Sequence, residues 1–544
     1  MTTLKGWLRP ILSKRQMNRF RLGRTYAIFQ AFTVVVLVAI CSLVSVPPST
    51  ARAKPNSSSN RVIGAHDARF NGARAYIREA MRRERLPSVA VAVAKNGKII
   101  WQQAFGWANV ETRQRATPGT MYSLASTTKP FTATAVMQLV EQGKIRLDAP
   151  ANEYLGMAKL KGYAGNAGGA TIRRILSHTS GLPPFWQFLY ADEDQAPPSM
   201  ETTIRRYGIL VTPPGAIYQY SNLGYGILGY IISRVSRMSY AEYMRTHVFL
   251  PLRLRHTAVG IPPGLARYAA VRYDRVKLGP LPSYTVTHVG ASAIYSSAHD
   301  LVRFGMFQLG DHLAGQQPIL TNATINQMHK PVVPIGFHGA EYALGWFVQP
   351  DDHGYVDIFH PGEMPGTTAC LSLYPAANLT VAVLTNRNIG SLAIQPISQH
   401  IVAAVLAKYA VSLLANPHQY APPPDLRYKL VRQLAGRWAG HIRTWQARIP
   451  LEMDFRPDGD IHIKLGDELK TLLDDARWDG HELVAFFPGE VPTPDADRRR
   501  TFLRLDLWLR DGNLSGEINA VAVHHREYYS LPSWVKLARV AGRN

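Results

Sequence analysis

A serine and a lysine three residues apart are the first side chains in this sequence that could do chemistry together. Ser126 and Lys129 open a stretch with helical periodicity, and Pro130 is tolerated in a helix only within the first turn. Residues i and i+3 of a helix share one face, so we expect the Lys129 amine beside the Ser126 hydroxyl. An adjacent base turns a serine hydroxyl into a useful nucleophile.

Two further motifs carry polar groups that could assist a nucleophile. Tyr220-Ser221-Asn222 follows a Pro-Gly turn and opens a helical pattern, which predicts a loop-to-helix junction. His360-Pro361-Gly362 is followed by another turn and by a strand pattern at 379–384. Each motif is weak alone, because a tyrosine can be a core aromatic and both His-x-Gly (288–290) and Ser-x-x-Lys (533–536) recur.

The order and context of these motifs resemble the serine β-lactamase and penicillin-binding-protein superfamily. The similar branch holds class C β-lactamases, D-peptidases and related esterases. The resemblance covers roughly residues 67–415 and includes three further motifs, at 176–183, 295–301 and 344–346. It implies an α+β fold in which helices flank an antiparallel sheet, with an all-helical lobe and a site in the groove between them.

The resemblance also implies roles for individual residues. Ser126 matches the acyl-accepting nucleophile, Lys129 its activator and Tyr220 the residue that transfers a proton. The substrate-binding positions implied are Asn222, His360, Gly362 and Glu363, the last through its backbone amide, which would form an oxyanion hole with the Ser126 amide. Free lysine and tyrosine both titrate near pKa 10, so the sequence leaves open which of the two is the base.

The third motif departs from the pattern of penicillin-recognising members. Those proteins usually carry Lys-Thr/Ser-Gly there, which supplies a cation and a hydroxyl to the substrate carboxylate. Here His360 is expected to titrate, and Pro361 has no hydroxyl. The departure favours an esterase or amidase over an enzyme for β-lactams or terminal D-alanine.

The predicted function is therefore that of an exported serine hydrolase that forms an acyl-enzyme on Ser126. Its substrates would be small or peptidic acyl compounds, hydrolysed by an esterase, amidase or D-amino-acid peptidase. The alternatives are a class C-like β-lactamase or D-Ala carboxypeptidase and, from a different class, a non-catalytic receptor for acyl or peptide ligands. Neither a cofactor nor a metal is expected.

Hydrophobic patterns predict the elements that position these motifs. A helix is expected near 67–85, then a hairpin of two β-branched runs around Asn96-Gly97. Helices are predicted at 131–141, 223–237 and 298–308, strands at 342–349, 370–374 and 379–384, and a last helix at about 397–414. Strands at both ends with helices between them indicate one α+β domain whose antiparallel sheet joins its termini.

A different pattern follows a Pro-rich linker at 416–426. Short alternating strands separated by tight turns predict a small all-β barrel over 427–544. Gly436-Arg437-Trp438 resembles the start of the lipocalin-like barrels appended to such hydrolases. This barrel either binds a ligand or packs as a spacer against the catalytic groove. His524 and His525 are neighbours on a predicted strand, so they face opposite sides and do not indicate a metal site.

The N-terminal residues predict export. Residues 1–53 contain eight basic and no acidic side chains, and an apolar run spans 27–46 before the small-x-small sequence at 51–53. The alternatives are a cleaved signal peptide and an uncleaved membrane anchor. Residues 54–66 are predicted to be a tether, and the domain that follows is expected in the periplasm or outside the cell.

The charge and the cysteine content limit which partners and which kinds of site are expected. The chain of 544 residues has a net charge of +23, which suits the cell wall or an anionic membrane surface, or reflects a solvated basic surface. No phosphate-binding loop or nucleic-acid motif is present, so nucleic acid is not an expected partner. Two cysteines, Cys41 and Cys370, exclude a disulfide scaffold and a cysteine-rich zinc site.

Overall fold

The computed structural model describes residues 60–193, 195–277, 279–336, 339–351, 353–410, 427–429, 431–523 and 526–540. The predicted signal or anchor, residues 54–59 of the tether, the linker at 416–426 and the His524-His525 pair lie outside these residues. The domain boundaries therefore remain predictions. In the described ranges no helix is long and apolar enough to cross a membrane. Residues 56–544 form one compact unit.

Ten α-helices with bounds inside the described residues and sixteen strands precede residue 407, and residues 407–410 are also helical. The helices are α1 Asn71–Arg83, α2 Thr128–Glu141, α3 Ile172–Leu176, α4 Met200–Tyr207, α5 Asn222–Ser236, α6 Tyr240–Tyr243, α7 Val289–Ser292, α8 Ala298–Gln308, α9 Asn322–His329 and α10 Ser391–Ala403. The strands are β1 Ser88–Lys95, β2 Lys98–Asn109, β3 Gln114–Arg115, β4 Met121–Ser123, β5 Lys161–Gly162, β6 Trp186–Tyr190, β7 Ile209–Leu210, β8 Ala258–Val259, β9 Tyr284–Val286, β10 Ile294–Ser297, β11 Val333–Pro334, β12 Glu341–Tyr342, β13 Phe347–Pro350, β14 Val356–Met364, β15 Thr367–Tyr374 and β16 Leu379–Thr385.

The main sheet joins the two ends of this domain, as the sequence predicts. Its order is β11-β12-β13-β14-β15-β16-β1-β2-β3, and β1 pairs antiparallel with both β16 and β2. The hairpin turn has positive φ at Asn96 (50°) and Gly97 (67°), the geometry of a type I′ turn. The expected α+β fold is confirmed.

Strand β1 shows why this sheet is covered on both faces. Its valines Val89, Val91 and Val93 pack in one core cluster with helices α1 and α10. The alternating alanines pack in the other cluster, with helix α8 and the helical lobe. Both sets are fully buried, because side chains alternate across a strand and each face meets apolar helices. Small residues on the second face let α8 approach closely, as at Gly305 against Thr380.

The residues from 436 onward fold into a nearly closed antiparallel barrel. Its strands are β17 Gly436–Arg443, β18 Arg448–Phe455, β19 Ile461–Leu465, β20 Thr471–Leu472, β21 Asp474–Trp478, β22 Glu482–Phe487, β23 Phe502–Arg510, β24 Asn513–Val523 and β25 Glu527–Arg539. Consecutive strands pair with each other, and the first strand pairs with the last; the ladder is interrupted between β20 and β21. The expected appended barrel is confirmed.

A backbone ladder connects the barrel to the helical lobe. Strand β25 pairs with β6 through Tyr529↔Gln187 and Ser530↔Trp186, and β6 in turn pairs with β9. Side chains add to this junction: Arg206 forms an ion pair of 2.7 Å with Asp495. The barrel is therefore joined to the preceding domain through β6 as well as along the chain.

Two sequence expectations need correction. Helix α10, Ser391–Ala403, begins six residues before the predicted start, and a non-helical break at 404–406 separates it from helical residues 407–410; the end of the predicted helix lies outside the described residues. The strand predicted at 342–349 is divided between β12 and β13. Gly345 adopts a φ of 93° there, and the chain turns between the two strands because Ala343 and Trp346 close a tight loop.

Candidate active site

Ser126 lies in a tight turn directly before helix α2. A 3-10 turn spans Ala125–Thr127, and Ala125 has a φ of 48°, a left-handed conformation that costs a non-glycine residue energy. The Lys129 amine lies 3.0 Å from the Ser126 hydroxyl oxygen. Pro130 sits in the first turn of the helix, as expected. The predicted serine–lysine pair is thus present.

The Lys129 amine has three hydrogen-bond contacts and no water access. Besides Ser126, it contacts Asn222 Oδ1 at 2.8 Å and the Ala291 carbonyl oxygen at 3.3 Å. Burial lowers the pKa of Lys129 well below its ordinary value, since the side chain is fully buried. The two carbonyl oxygens can only accept, so a neutral amine donates to both and turns its lone pair toward Ser126.

Tyr220 reaches the same hydroxyl from the other side. Burial raises the pKa of its phenol, while a hydrogen bond with the Ser126 side chain opposes that rise. The Lys129 nitrogen lies 4.6 Å from the centre of the Tyr220 ring. The two pKa shifts go in opposite directions, which favours a neutral amine beside a neutral phenol over an ammonium–phenolate pair.

The junction before helix α5 is held by a histidine that was not among the predicted site residues. The Ser221 hydroxyl caps α5 by accepting from the Gly224 amide at 3.1 Å and donates to the Pro183 carbonyl at 2.7 Å. The Ser221 amide donates to His178 Nδ1 at 3.0 Å. His178 is 1% exposed and its ring centre lies 4.3 Å from that of Tyr220. It therefore positions Tyr220 and Asn222.

Strand β14 brings the third motif against the turn that carries Ser126. The Thr127 hydroxyl donates to the His360 carbonyl at 3.0 Å. A Cβ on Gly362 would lie 2.0 Å from the Leu124 carbonyl oxygen, so only glycine permits this approach. The ladder between β13 and β14 ends at Phe359, and beyond it β14 pairs only with β15 in the described residues. One edge of the strand beside Ser126 is thus not covered by another strand.

His360 requires a correction, because its ring faces the interior. Its Nε2 lies 3.1 Å from the Tyr342 hydroxyl and its Nδ1 lies 2.7 Å from the Pro361 carbonyl oxygen. The carbonyl can only accept, so Nδ1 carries the hydrogen and Tyr342 donates to Nε2. Burial, assisted by Lys129, lowers the pKa of His360 to about 3. The ring neither titrates near pH 7 nor has a nitrogen left for a substrate.

A cleft of about 310 Å³ opens at Ser126. Three predicted site residues, Ser126, Asn222 and Glu363, line it. The exposed Glu363 carboxylate accepts from the Ser391 amide at 3.0 Å and from the Ser391 hydroxyl at 3.2 Å. The other lining residues were not predicted: Trp186, Phe188, His288, Ser292, Met364, Val523 and Glu527.

Most of these unpredicted residues come from segments in which the sequence shows no functional motif. Trp186 and Phe188 come from β6, which carries no motif, and Val523 and Glu527 come from the barrel. His288 directly precedes helix α7 and Ser292 is its last residue; His288-Val289-Gly290 counted in the sequence only as a recurrence of His-x-Gly. A second, mainly apolar cavity of about 180 Å³ shares Ser292 and Met364 with the cleft.

Comparison with known sequences points to one family. The Beta-lactamase family model matches residues 73–403, which is more than half of the chain. Protein flp of Staphylococcus aureus (strain MW2) is 28% identical over 318 residues, covering 57% of this chain and 62% of that protein. Penicillin-binding protein 4* of Bacillus subtilis (strain 168) is 26% identical over 319 residues, covering 55% and 67%. This chain therefore matches less than two thirds of the length of the staphylococcal protein.

Comparison with solved structures supports the same fold. A β-lactamase/D-alanine carboxypeptidase from Pseudomonas syringae superposes with a TM-score of 0.55 at 18% identity, covering 62% of this chain and 99% of that one. An octameric penicillin-binding protein homologue from Pyrococcus abyssi gives 0.53 at 23%, covering 85% and 99%. The structure of SurE with D-Leu gives 0.56 at 23%, covering 87% and 100%. Residues 67–415 are under two thirds of the chain, so the last two similarities extend into the barrel.

Proposed function

The chain belongs to the beta-lactamase family, and from that premise we propose that it is a serine hydrolase that forms an acyl-enzyme on Ser126. The observation that carries the proposal is the contact of 3.0 Å between the Ser126 hydroxyl and a buried Lys129 amine with a lowered pKa. A desolvated neutral amine is a strong base at a site where a serine hydroxyl needs one.

In the first half of the reaction, Lys129 takes the hydroxyl proton as Ser126 Oγ attacks the substrate carbonyl carbon. The C–O bond forms, and the carbonyl electron pair moves to the oxygen, which backbone amides of Ser126 and Glu363 would stabilise. Collapse of this intermediate expels the alcohol or amine leaving group, which receives a proton through Tyr220. Water then attacks the carbonyl carbon of the ester on Ser126, and the neutral Lys129 amine accepts the water proton directly or through Tyr220. That proton returns to Ser126 Oγ as its bond to the acyl carbon breaks and the acid leaves.

The proposed substrates are small or peptidic esters and amides rather than β-lactams. A β-lactam or a D-Ala-D-Ala peptide carries a carboxylate that must be paired when it is buried. His360 is neutral and its ring nitrogens are both bonded, so it supplies no cation. No lysine or arginine is among the residues that line the cleft, and Glu363 and Glu527 are among them.

The rates with an ester and a β-lactam separate this proposal from its alternatives. We expect p-nitrophenyl acetate or butyrate to have a much higher kcat/KM than nitrocefin at pH 7. The Ser126→Ala variant should lose ester turnover by about 10⁴-fold or more, as expected for removal of a nucleophile. Equal or faster hydrolysis of nitrocefin would favour the second candidate, a β-lactamase or carboxypeptidase. The similarity to Penicillin-binding protein 4* supports that candidate.

A label tests the acyl-enzyme itself. A fluorophosphonate should add its mass to the wild type and not to Ser126→Ala, as read by intact mass spectrometry. Either labelling that is absent from the wild type or labelling that persists in the variant would contradict an acyl-enzyme on Ser126; the first result would support a non-catalytic receptor, and the second would show that another nucleophile reacts. Export is part of the proposal and rests on the apolar run at 27–46; fractionation of cells, with the mature mass, tests it.

A further inference from the structure

The cleft beside Ser126 has a wall that belongs to the barrel. Glu527, the first residue of β25, and Val523, the last of β24, both line it. They are cross-strand partners at the end of this hairpin. About 400 residues of sequence separate Glu527 from Ser126, yet the two border one cavity.

Several contacts fix Glu527 in this position. The Tyr190 hydroxyl donates to the Glu527 carbonyl oxygen at 2.9 Å. The neighbouring Arg526 forms an ion pair of 2.8 Å with Asp192. The β25–β6 ladder begins two residues further on, and β6 also supplies Trp186 and Phe188 to the cleft. The hairpin end is thus tied to the lobe on both sides of Glu527.

The Glu527 carboxylate has no hydrogen bond or ion pair within the described residues. Burial raises its pKa, the charge of Glu363 raises it further, and Arg275 opposes them with the smallest effect. Arg526 does not compensate, because its guanidinium is held by Asp192 and lies over the Tyr190 ring. A wall with one half-buried and one exposed carboxylate, and little opposing charge, favours a cation.

The same cleft contains other polar atoms without a partner among the described residues. His288 Nδ1 and Ser292 Oγ are such atoms, on side chains that are 2% and 3% exposed. Burial lowers the pKa of His288 to about 3, so its ring is neutral. Buried polar atoms normally have hydrogen-bond partners, so these two indicate that a polar ligand completes the cleft. Trp186 and Phe188 also line the cleft, and aromatic rings attract cations.

We infer that Glu527, a residue of the barrel, selects substrates that carry a protonated amine near the scissile bond. This inference rests on the proposed function, because it concerns substrates attacked by Ser126. It gives the barrel a role in specificity: the ammonium group of an amino-acid or peptide ester or amide lies against Glu527, with Glu363 contributing the second negative charge.

Pairs of substrates that differ only by this charge test the inference. Alanine p-nitroanilide, as both D and L isomers, is matched by isobutyryl p-nitroanilide, in which a methyl replaces the ammonium. p-Nitrophenyl 6-aminohexanoate is matched by the heptanoate. At pH 7 both amines are largely protonated. In the wild type we expect a higher kcat/KM for the cationic member of at least one pair.

The Glu527→Gln variant should lower that cation preference about 10- to 100-fold, the range spanned by charge-assisted hydrogen bonds. Glu452→Gln, which removes the same charge from an exposed site on β18, should not lower it. Glu363→Gln should lower it less, and it decides the question if Glu527→Gln does not fold. A ratio unchanged in both cleft variants, or neutral substrates preferred in both pairs, overturns the inference.

The two proposals fail in different ways. If Ser126-dependent hydrolysis of the neutral esters is absent, the proposed function is wrong. If the neutral esters are hydrolysed normally and only the preference for cationic substrates is missing, the proposed function stands and the role of Glu527 is wrong.

Discussion

The floor and the barrel-side wall of the cleft are built on opposite principles. On the floor, the Lys129 amine has three hydrogen-bond contacts and full burial. In the wall, the Glu527 carboxylate has no hydrogen bond or ion pair in the described residues. A buried group whose hydrogen bonds are all formed is held in place. A polar group without a hydrogen-bond partner can bind a polar ligand. The floor is thus suited to chemistry and the wall to selection.

The largest effect should come from removing the amine of the floor. Lys129→Met keeps the length of the side chain and removes the base, so kcat/KM for a neutral ester should fall about 10³- to 10⁴-fold. Because burying an amine costs stability, the Tm should hold or rise. Steady-state kinetics with thermal unfolding measure both, and exposed Lys408→Met serves as the control.

The pH profile sharpens this prediction. The base must be neutral, so kcat/KM should rise with pH through the pKa of Lys129 and level off above it. Burial lowers that pKa, so the rise should end well below pH 10.5. In Lys129→Met the same limb should disappear; if it remains, another group is the base.

The second effect concerns the phenol of the floor. Tyr220→Phe removes the hydroxyl that is bonded to Ser126, so kcat should fall about 10²-fold or more while KM changes little. Tyr218→Phe, two residues away, should keep its activity. Turnover near that of the wild type in Tyr220→Phe would assign all proton transfer to Lys129.

A third prediction tests how the floor is held against strand β14. Gly362→Ala places a Cβ 2.0 Å from the Leu124 carbonyl oxygen, so the strand must move away from the turn carrying Ser126. We expect kcat to fall about tenfold and the Tm to decrease, since a displacement of this size disturbs oriented groups. Gly264→Ala, where a Cβ meets open space, is the matched control. A fully active Gly362→Ala would contradict this positioning.

A smaller effect should separate the wall from the floor. Tyr190→Phe removes the hydrogen bond to the Glu527 carbonyl, so the preference for cationic substrates should fall about threefold. Hydrolysis of neutral esters should change much less than in the floor variants. Tyr154→Phe removes a hydroxyl bonded to a distant backbone amide, at Arg146, and should leave the ratio unchanged.

The last prediction is an absence of effect. His360 has a pKa of about 3, so acidification from pH 7 to pH 5 should not improve hydrolysis of carboxylate-bearing substrates relative to neutral ones. The ratio of kcat/KM for nitrocefin and p-nitrophenyl acetate across this range measures it. A ratio that rises with a midpoint near pH 6.5 would show that a histidine does titrate at the substrate.

Part of the candidate site could be predicted from the spacing of residues that are close in sequence. Ser126 and Lys129 could be paired from their spacing because a helical turn fixes which side chains meet. The hairpin at Asn96-Gly97 and the alternation of barrel strands were equally local. Ser533 and Lys536 have the same spacing as Ser126 and Lys129, but they lie on β25, where residues three apart face opposite sides.

Only the tertiary structure decides which side chains are buried and which residues distant in sequence become neighbours. The pKa directions of Lys129, Tyr220 and His360 depend on how much water the folded chain excludes, which spacing does not encode. Glu527 reaches the cleft because β25 pairs with β6, a contact between segments more than 300 residues apart. The sequence alone therefore determined which side chains could react, because periodicity is local. The fold decided their protonation and their neighbours, because desolvation and pairing across the chain are properties of the assembled structure.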